Sequence, residues 1–231
     1  VRVDGEAGGM TETARAHAYG NGDSSGSGQL GRGVRLPRTE RRAQLLAAAQ
    51  HVFAGNGYHA AAMDDIAEQA GVSKPVLYQH FPGKLDLYIA LLESHVDNLV
   101  GRVQEALAST TDNKQRVHNA VGAFFEFVNG DAGAFRMVFE SDLRGEPAVQ
   151  QAVDRATSAS VDAITETITS DAGLDEDRAR LLAVGLVGLS QVSARFWLAH
   201  HSSMSREEAV TLTSTLAWRG IGAGFPLQQH P

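Results

Sequence analysis

The 231-residue chain contains no cysteine, which excludes disulfide frameworks, thiolate zinc sites and cysteine nucleophiles together. No uninterrupted apolar run approaches the ~18 residues a bilayer crossing needs, and the first residues lack the apolar block of a secretory leader. The expectation is a cytoplasmic protein with no membrane partner. Strand-like alternation and internal repeats are missing as well. So are catalytic arrangements. The histidines are scattered, and His200 and His201, being adjacent, point to different sides of a helix instead of forming the i, i+4 pair of a helical metal site. No serine stands in a nucleophile-elbow context. The acid clusters Asp64-Asp65 and Asp175-Glu176-Asp177 fall where helices should start, where carboxylates favour the helix dipole. We expect no enzyme activity, no metal and no cofactor.

What is present is a 43 % hydrophobic chain whose apolar residues recur at helical spacing, and the fold class it implies is all-α. Residues 1–33 are the exception. They hold nine of the 24 glycines, several serines and no hydrophobic periodicity, so they are expected to be a disordered arm. Arg32, Arg35, Arg38, Arg41 and Arg42 cluster where order should begin, and could lie along a nucleic-acid backbone or simply solubilise the arm.

The stretch Ala62 to Lys84, AMDDIAEQAGVSKPVLYQHFPGK, organises the remainder. Met63, Ile66, Ala67 and Ala70 recur as one helical face, Gly71 breaks the helix, and Ser73 can cap a second helix carrying Leu77 and Phe81 four apart. A preceding helix from Thr39 to about Gly55 buries Leu45, Leu46, Ala49, Val52 and Phe53. Two helices meeting at a glycine turn can dock on DNA. The charge is divided accordingly. Residues 32–84 hold seven Lys/Arg against four acids, while residues 85–231 hold 11 against 19, within a total of −7. A basic head on an acidic body suits a protein that meets phosphate through one end only.

If Leu77 and Phe81 face the head's core, then Pro75, Val76 and Gln79 lie on the opposite side, with Tyr78 and His80 on the flanks. Gln79 can pair with an adenine edge, and Val76 and Pro75 can touch a thymine methyl. Arg38, Lys74, Tyr78, His80 and Lys84 are the candidate phosphate contacts, with the helix N-terminus behind Ser73. Singly, each also has an ordinary reading: Tyr78 as a core residue with a wet hydroxyl, His80 as a surface polar group, Lys84 as a solvated charge.

The run AEQAGVSKPVLYQHFPGKLDL (67–87), preceded by Gly57-Tyr58, resembles the signature of the TetR family of bacterial regulators. The resemblance covers about residues 39–99. It implies an all-helical homodimer with a three-helix DNA-binding head, a fourth helix acting as a lever, and a C-terminal bundle that holds an effector. One departure is Ala61-Ala62, where such proteins often carry threonines at the start of the second helix. The expected domains are the arm at 1–33, the helix-turn-helix head at 34–84, and a ligand-binding and dimerisation body at 85–225.

In the body, a helix from about Lys84 to Leu107 carries the stripe Leu85, Tyr88, Ile89, Leu92, Val96, Leu99, Val103 and Leu107. Further helices are expected over 113–129, 132–141, 147–169, 175–201 and 205–219, the last starting at a capping box, Ser205 to Glu208. Phe124, Phe127, Val128, Phe139, Leu182, Leu186 and Phe196 are apolar on more than one face. They are candidates to line a hydrophobic effector site, the bland alternative being bundle core. Small residues Gly185, Gly188, Ser190, Ser193 and Ala194 let another helix approach, and 175–201 with 205–219 is the expected dimer interface.

A narrower resemblance, through ALASTTDNKQRVHNAVGAFFEF, FRMVFESDL and AVGLVGLSQVSARFWL, is to actinobacterial TetR-type regulators of fatty acid synthase genes. It implies a long-chain acyl-CoA effector, for whose phosphates Arg136, Arg144 and Arg195 are candidates. The alternative within the regulator class is a repressor of an efflux or catabolic gene answering another hydrophobic small molecule. A small-molecule carrier would share the apolar body but have no use for Lys74, Tyr78 and Lys84 around a capped helix.

Overall fold

A computed structural model of the chain describes residues 36–130, 132–139, 143, 145–200 and 204–224, the side chains of 132, 135, 139 and 221–224 excepted. The arm expected at 1–33 lies outside these residues, as does Arg144. The described residues form α-helices and no strand. The head comprises α1 (Arg38–Ala60), α2 (Met63–Gln69) and α3 (Lys74–His80). The body comprises α4 (Lys84–Ala108), α5 (Asn113–Gly130), α6 (Ala132–Phe139), α7 (Pro147–Ala172), α8 (Glu176–His200) and α9 (Arg206–Gly224).

In the head, Leu45, Ala49, Val52 and Phe53 of α1 meet Ile66 and Ala67 of α2 and Leu77 of α3, all buried, and Phe81 closes the cluster just past α3. Gly57 sits at φ 72°, which L side chains rarely adopt, and ends the regular part of α1. The turn between α2 and α3 is a Schellman motif: the Val72 amide donates to the Ala67 carbonyl (3.0 Å) and the Gly71 amide to that of Glu68 (2.9 Å), with Gly71 at φ 64°. Ala62 occupies the N-cap of α2 without a side-chain cap, and Asp65 Oδ2 accepts from the Ala62 amide instead (3.3 Å). Ser73 is the N-cap residue of α3, but its hydroxyl caps nothing; only its carbonyl is used, accepting from Val76 (3.0 Å) and Leu77 (3.3 Å).

In the body, α4 packs on α5 and α7, α7 on α8, and α5 on α8 and α9. The α4 stripe is the seam, with Leu92, Val96, Leu99 and Val103 fully or nearly fully buried. At its start α4 joins the head through three rings: Phe53 and Tyr88 meet edge to face at 5.3 Å, and Tyr58 and Tyr88 at 5.2 Å. Ser205 caps α9, accepting from the Glu208 amide (3.1 Å).

Most of α8 faces outward. Leu181, Leu182, Val184, Val192 and Phe196 are exposed, and α9 adds Leu212 and Trp218. Among the described helices α8 alone is long and apolar enough to cross a membrane by composition. Its most apolar 18-residue window has a mean hydropathy of 1.5, with 22 % of that window buried in the chain. Gln191 and Arg195 break its apolar run, while the many Leu, Val and Ala residues keep the average high.

Candidate nucleic-acid interface and effector cavity

On α3, Lys74, Pro75, Tyr78 and Gln79 are exposed, and Val76 and His80 are half-buried. The helix has little hydrogen-bonding chemistry on its outer face: Gln79 supplies an amide and Tyr78 a hydroxyl. Lys74 pairs with Asp64 of α2 at 2.5 Å, and this hydrogen bond raises its ammonium pKa. Both groups are well exposed, so the pair is open to exchange with a phosphate.

The start of α1 lies beside the end of α3. The His80 imidazole pKa is lowered first by burial and then by the Arg38, Arg42 and Arg41 guanidiniums. Arg42 lies over the Phe81 ring, 4.5 Å from its centroid. Arg41 donates to Gln44 Oε1 (2.7 Å), and Gln44 Nε2 donates to the Ala70 carbonyl (2.8 Å), so α1 braces the end of α2 while holding a guanidinium. Arg38, Arg41 and Arg42 thus make one cationic patch that flanks the exposed face of α3 and holds the neighbouring His80 ring in its neutral form. Sequence spacing does not show the Gln44 brace, because its acceptor is a main-chain carbonyl 26 residues on.

Lys84 has a different place from the one expected of it. Its ammonium donates to the carbonyls of Tyr58 (2.8 Å), Ala61 (2.9 Å) and His59 (3.3 Å) and sits 4.5 Å from the Tyr58 ring centroid. Three N–H donors and three acceptors leave the side chain clamping the end of α1 to the start of α4, in place of a free phosphate contact.

The body contains a cavity of about 630 Å³ between α5, α7, α8 and α9, with Leu107 of α4 also in its lining. Phe124, Val121 and Ile164 form its buried floor, while Leu182, Leu186, Leu189 and Trp218 line its side. Polar groups gather at one end: Asn113 and Arg116 of α5 with Thr167 and Asp171 of α7. Arg116 forms an ion pair with Asp171 and also donates to Asn113 Oδ1 (3.0 Å) and to the carbonyls of Thr110 (2.8 Å) and Leu107 (3.1 Å). The Ser170 hydroxyl, then Asn113 and Arg116, hold the Asp171 carboxyl below its ordinary pKa.

Of the expected effector residues, Phe124, Leu182 and Leu186 line this cavity. Phe127 and Val128 are buried and share the face of α5 that carries Ala120 and Phe124, but they lie about a turn further along the helix and do not line the cavity; Phe127 borders α4 and α6. Phe196 is a correction: it is 60 % exposed and stacks on His200 at 4.0 Å, outside the cavity. Arg136 and Arg195 are exposed and line no part of it, and the Phe139 side chain lies outside the described residues. Arg116, which sequence reading missed, is the basic side chain in the lining. Among the described residues no cluster of His, Asp and Glu could hold a metal.

Residues 45–91, spanning most of the head and the first turns of α4, match the family model of bacterial regulatory proteins, tetR family. Over 200 residues, more than the whole body holds, the chain is 52 % identical to the HTH-type transcriptional activator FasR of Mycolicibacterium smegmatis, covering 87 % of this chain and 91 % of that protein. The chain belongs to the TetR family. Within it the likeness is of FasR type, and the family is one of regulatory proteins, not enzymes. The fatty acid metabolism regulator protein of Bacillus subtilis is 31 % identical over 88 residues, 42 % of this chain and 48 % of that one. The fold matches that of the transcriptional regulator FadR from Bacillus subtilis in complex with stearoyl-CoA. The TM-score is 0.63, over 78 % of this chain and 98 % of that one, at 23 % identity, so the likeness bears on fold alone.

Proposed function

We propose that the chain is an effector-responsive transcriptional regulator of fatty acid genes. It works as a homodimer on an inverted-repeat operator, in the cytoplasm, with a long-chain acyl-CoA as effector. The observation that carries this is the apolar cavity with one polar, arginine-bearing end, in a body whose likeness to FasR runs well beyond the head. A cavity of about 630 Å³ is in the range that encloses an extended apolar ligand. Its polar end suits the thioester and pantetheine portion, and Arg116 can exchange Asp171 for a phosphate. The naming of a Bacillus relative for fatty acid metabolism, and the stearoyl-CoA bound to FadR, support the same class.

On DNA, α3 enters the major groove with Gln79 reading, while Lys74, Tyr78, His80 and the patch of Arg38, Arg41 and Arg42 hold the phosphates. With so few base-reading groups, half-site spacing and DNA shape carry much of the specificity.

The test is an acyl-CoA series from octanoyl to stearoyl, with affinity measured by calorimetry. Each buried methylene contributes about 0.8 kcal/mol, so affinity should rise about fourfold per methylene until the cavity is full. A flat series would refute the acyl-chain assignment, and equal binding of operator and random DNA at moderate salt would refute the regulator reading.

A further inference from the structure

The outward face of α3 offers DNA few hydrogen-bonding groups, yet a carboxylate of α2 stands at its edge. Met63, Ile66, Ala67 and Ala70 anchor α2 in the core of the head. Asp64, ~100° round the helix from Met63, meets the start of α3. There its Oδ2 accepts from the Lys74 ammonium at 2.5 Å, with 59 % of the Asp64 side chain and 60 % of that of Lys74 still exposed. Tyr78, one turn on from Lys74, stands on the same flank of α3. The neighbouring acid has a structural use, since Asp65 Oδ2 accepts from the Ala62 amide at the start of α2. Asp64 does not: among the described residues its carboxylate has one partner, an exposed lysine of the DNA face. Exposed ion pairs contribute little to stability, so the fold does not require this carboxylate.

We infer that Asp64 is a specificity-determining residue, which reads a base amino group in the major groove once a phosphate has taken Lys74. An ionised carboxylate can only accept hydrogen bonds. In the major groove the donors are the N4 amino group of cytosine and the N6 amino group of adenine, whereas guanine N7 and O6 and thymine O4 are acceptors. A carboxylate that gives up its lysine beside DNA and meets guanine or thymine is repelled by the phosphates and left without a donor. Over cytosine or adenine it is satisfied. The wrong base therefore either keeps Lys74 from its phosphate or strands Asp64, and the penalty falls on non-cognate DNA. Asp64 adds to Gln79 a second reader in each half-site, from a different helix. This rests on the proposed docking of α3 in the major groove and names a further residue that gives it selectivity.

The native protein and its Asp64→Ala, Asp64→Asn and Lys74→Met variants are each used to select duplexes from one random-sequence pool. Affinities for the native consensus and its symmetric single-base-pair variants are then measured by fluorescence anisotropy at fixed salt. The native protein should show a position in each half-site that favours cytosine or adenine over guanine and thymine by about fivefold or more. D64A should flatten that position alone and bind random DNA about threefold tighter, because a charge repelled by phosphate is gone. D64N, whose amide donates as well as accepts, should no longer reject guanine and thymine there. K74M should keep the base preference and lower the salt slope by about one. Base preferences that are the same in D64A as in the native protein would overturn the inference. So would a loss spread over every position alike, or the same loss in K74M, since either would mean that Asp64 acts only by placing α3 or its lysine. Should D64A not fold, as judged by circular dichroism, the near-isosteric D64N decides: unchanged rejection of guanine and thymine would overturn the inference. A native protein that selects no consensus from the pool would refute the regulator reading itself, and the inference with it.

Discussion

Replacing Lys84 by methionine separates two roles that the sequence leaves joined. The substitution keeps the apolar stem and removes an ammonium that donates to three carbonyls at the end of α1 and lies over the Tyr58 ring. A hydrogen bond to a charged group contributes roughly 1.5–3 kcal/mol when its acceptor is left without a partner. The His59 carbonyl is exposed and those of Tyr58 and Ala61 are only part-buried, so water can reach them in part and the three do not add. A cation–π contact at such a site adds about 0.5–1 kcal/mol. The expected net loss is about 2 kcal/mol, which for a chain of this size lowers Tm by roughly 4–8 °C. Circular dichroism melting at fixed protein concentration measures it, because dimer stability depends on concentration. Operator affinity should fall through misplacement of the head, with the salt dependence of binding unchanged. If Tm is unchanged and the slope of log affinity against log salt falls by about one, Lys84 is a phosphate contact and the clamp assignment is wrong.

Other substitutions probe the DNA face and the turn. Gln79→Ala should relax base preference at one position of each half-site, whereas Tyr78→Phe should weaken all DNA alike; binding to a panel of operator variants separates the two, and identical profiles would refute the division of roles. Gly71→Ala forces a Cβ into the left-handed turn at φ 64°, and should destabilise the head by about 1 kcal/mol or more in chemical denaturation although no atom stands in the way. His80 has its folded pKa below the ordinary histidine value, so the stability that depends on a neutral ring is intact above about pH 6.5 and is lost as pH falls through the folded pKa. A DNA phosphate offsets the arginines, raises that pKa and makes binding take up a proton, so operator affinity should strengthen as pH falls through this window. His80→Asn should remove that strengthening, and an identical pH slope in the variant would refute it.

The head is legible in the sequence because its determinants are local. Met63, Ile66, Ala67 and Ala70 mark a buried face, Gly71 can only mean a turn, and Leu77 and Phe81 follow at the spacing that buries both. What could not be read depends on partners far along the chain. The carbonyls that hold Lys84 lie 23 to 26 residues earlier, and the carboxylate that meets Arg116 lies 55 residues later, with nothing in either spacing to announce it. Phe196 shows a different limit. It falls within about 40° of Leu182 around α8, so periodicity puts both on one face, but 14 residues at ~1.5 Å each carry it about 21 Å further along, past the end of the cavity. Helical spacing gives the angle of a side chain and says nothing about where a cavity stops.

The proposed function requires that occupancy of the body alter the grip of the head. Operator affinity measured by fluorescence anisotropy with and without saturating oleoyl-CoA tests it most directly. The expected change is at least tenfold, about 1.4 kcal/mol of coupling, matched by an equal change in oleoyl-CoA affinity when operator is present. An operator affinity that stays the same while oleoyl-CoA fills the cavity would contradict it.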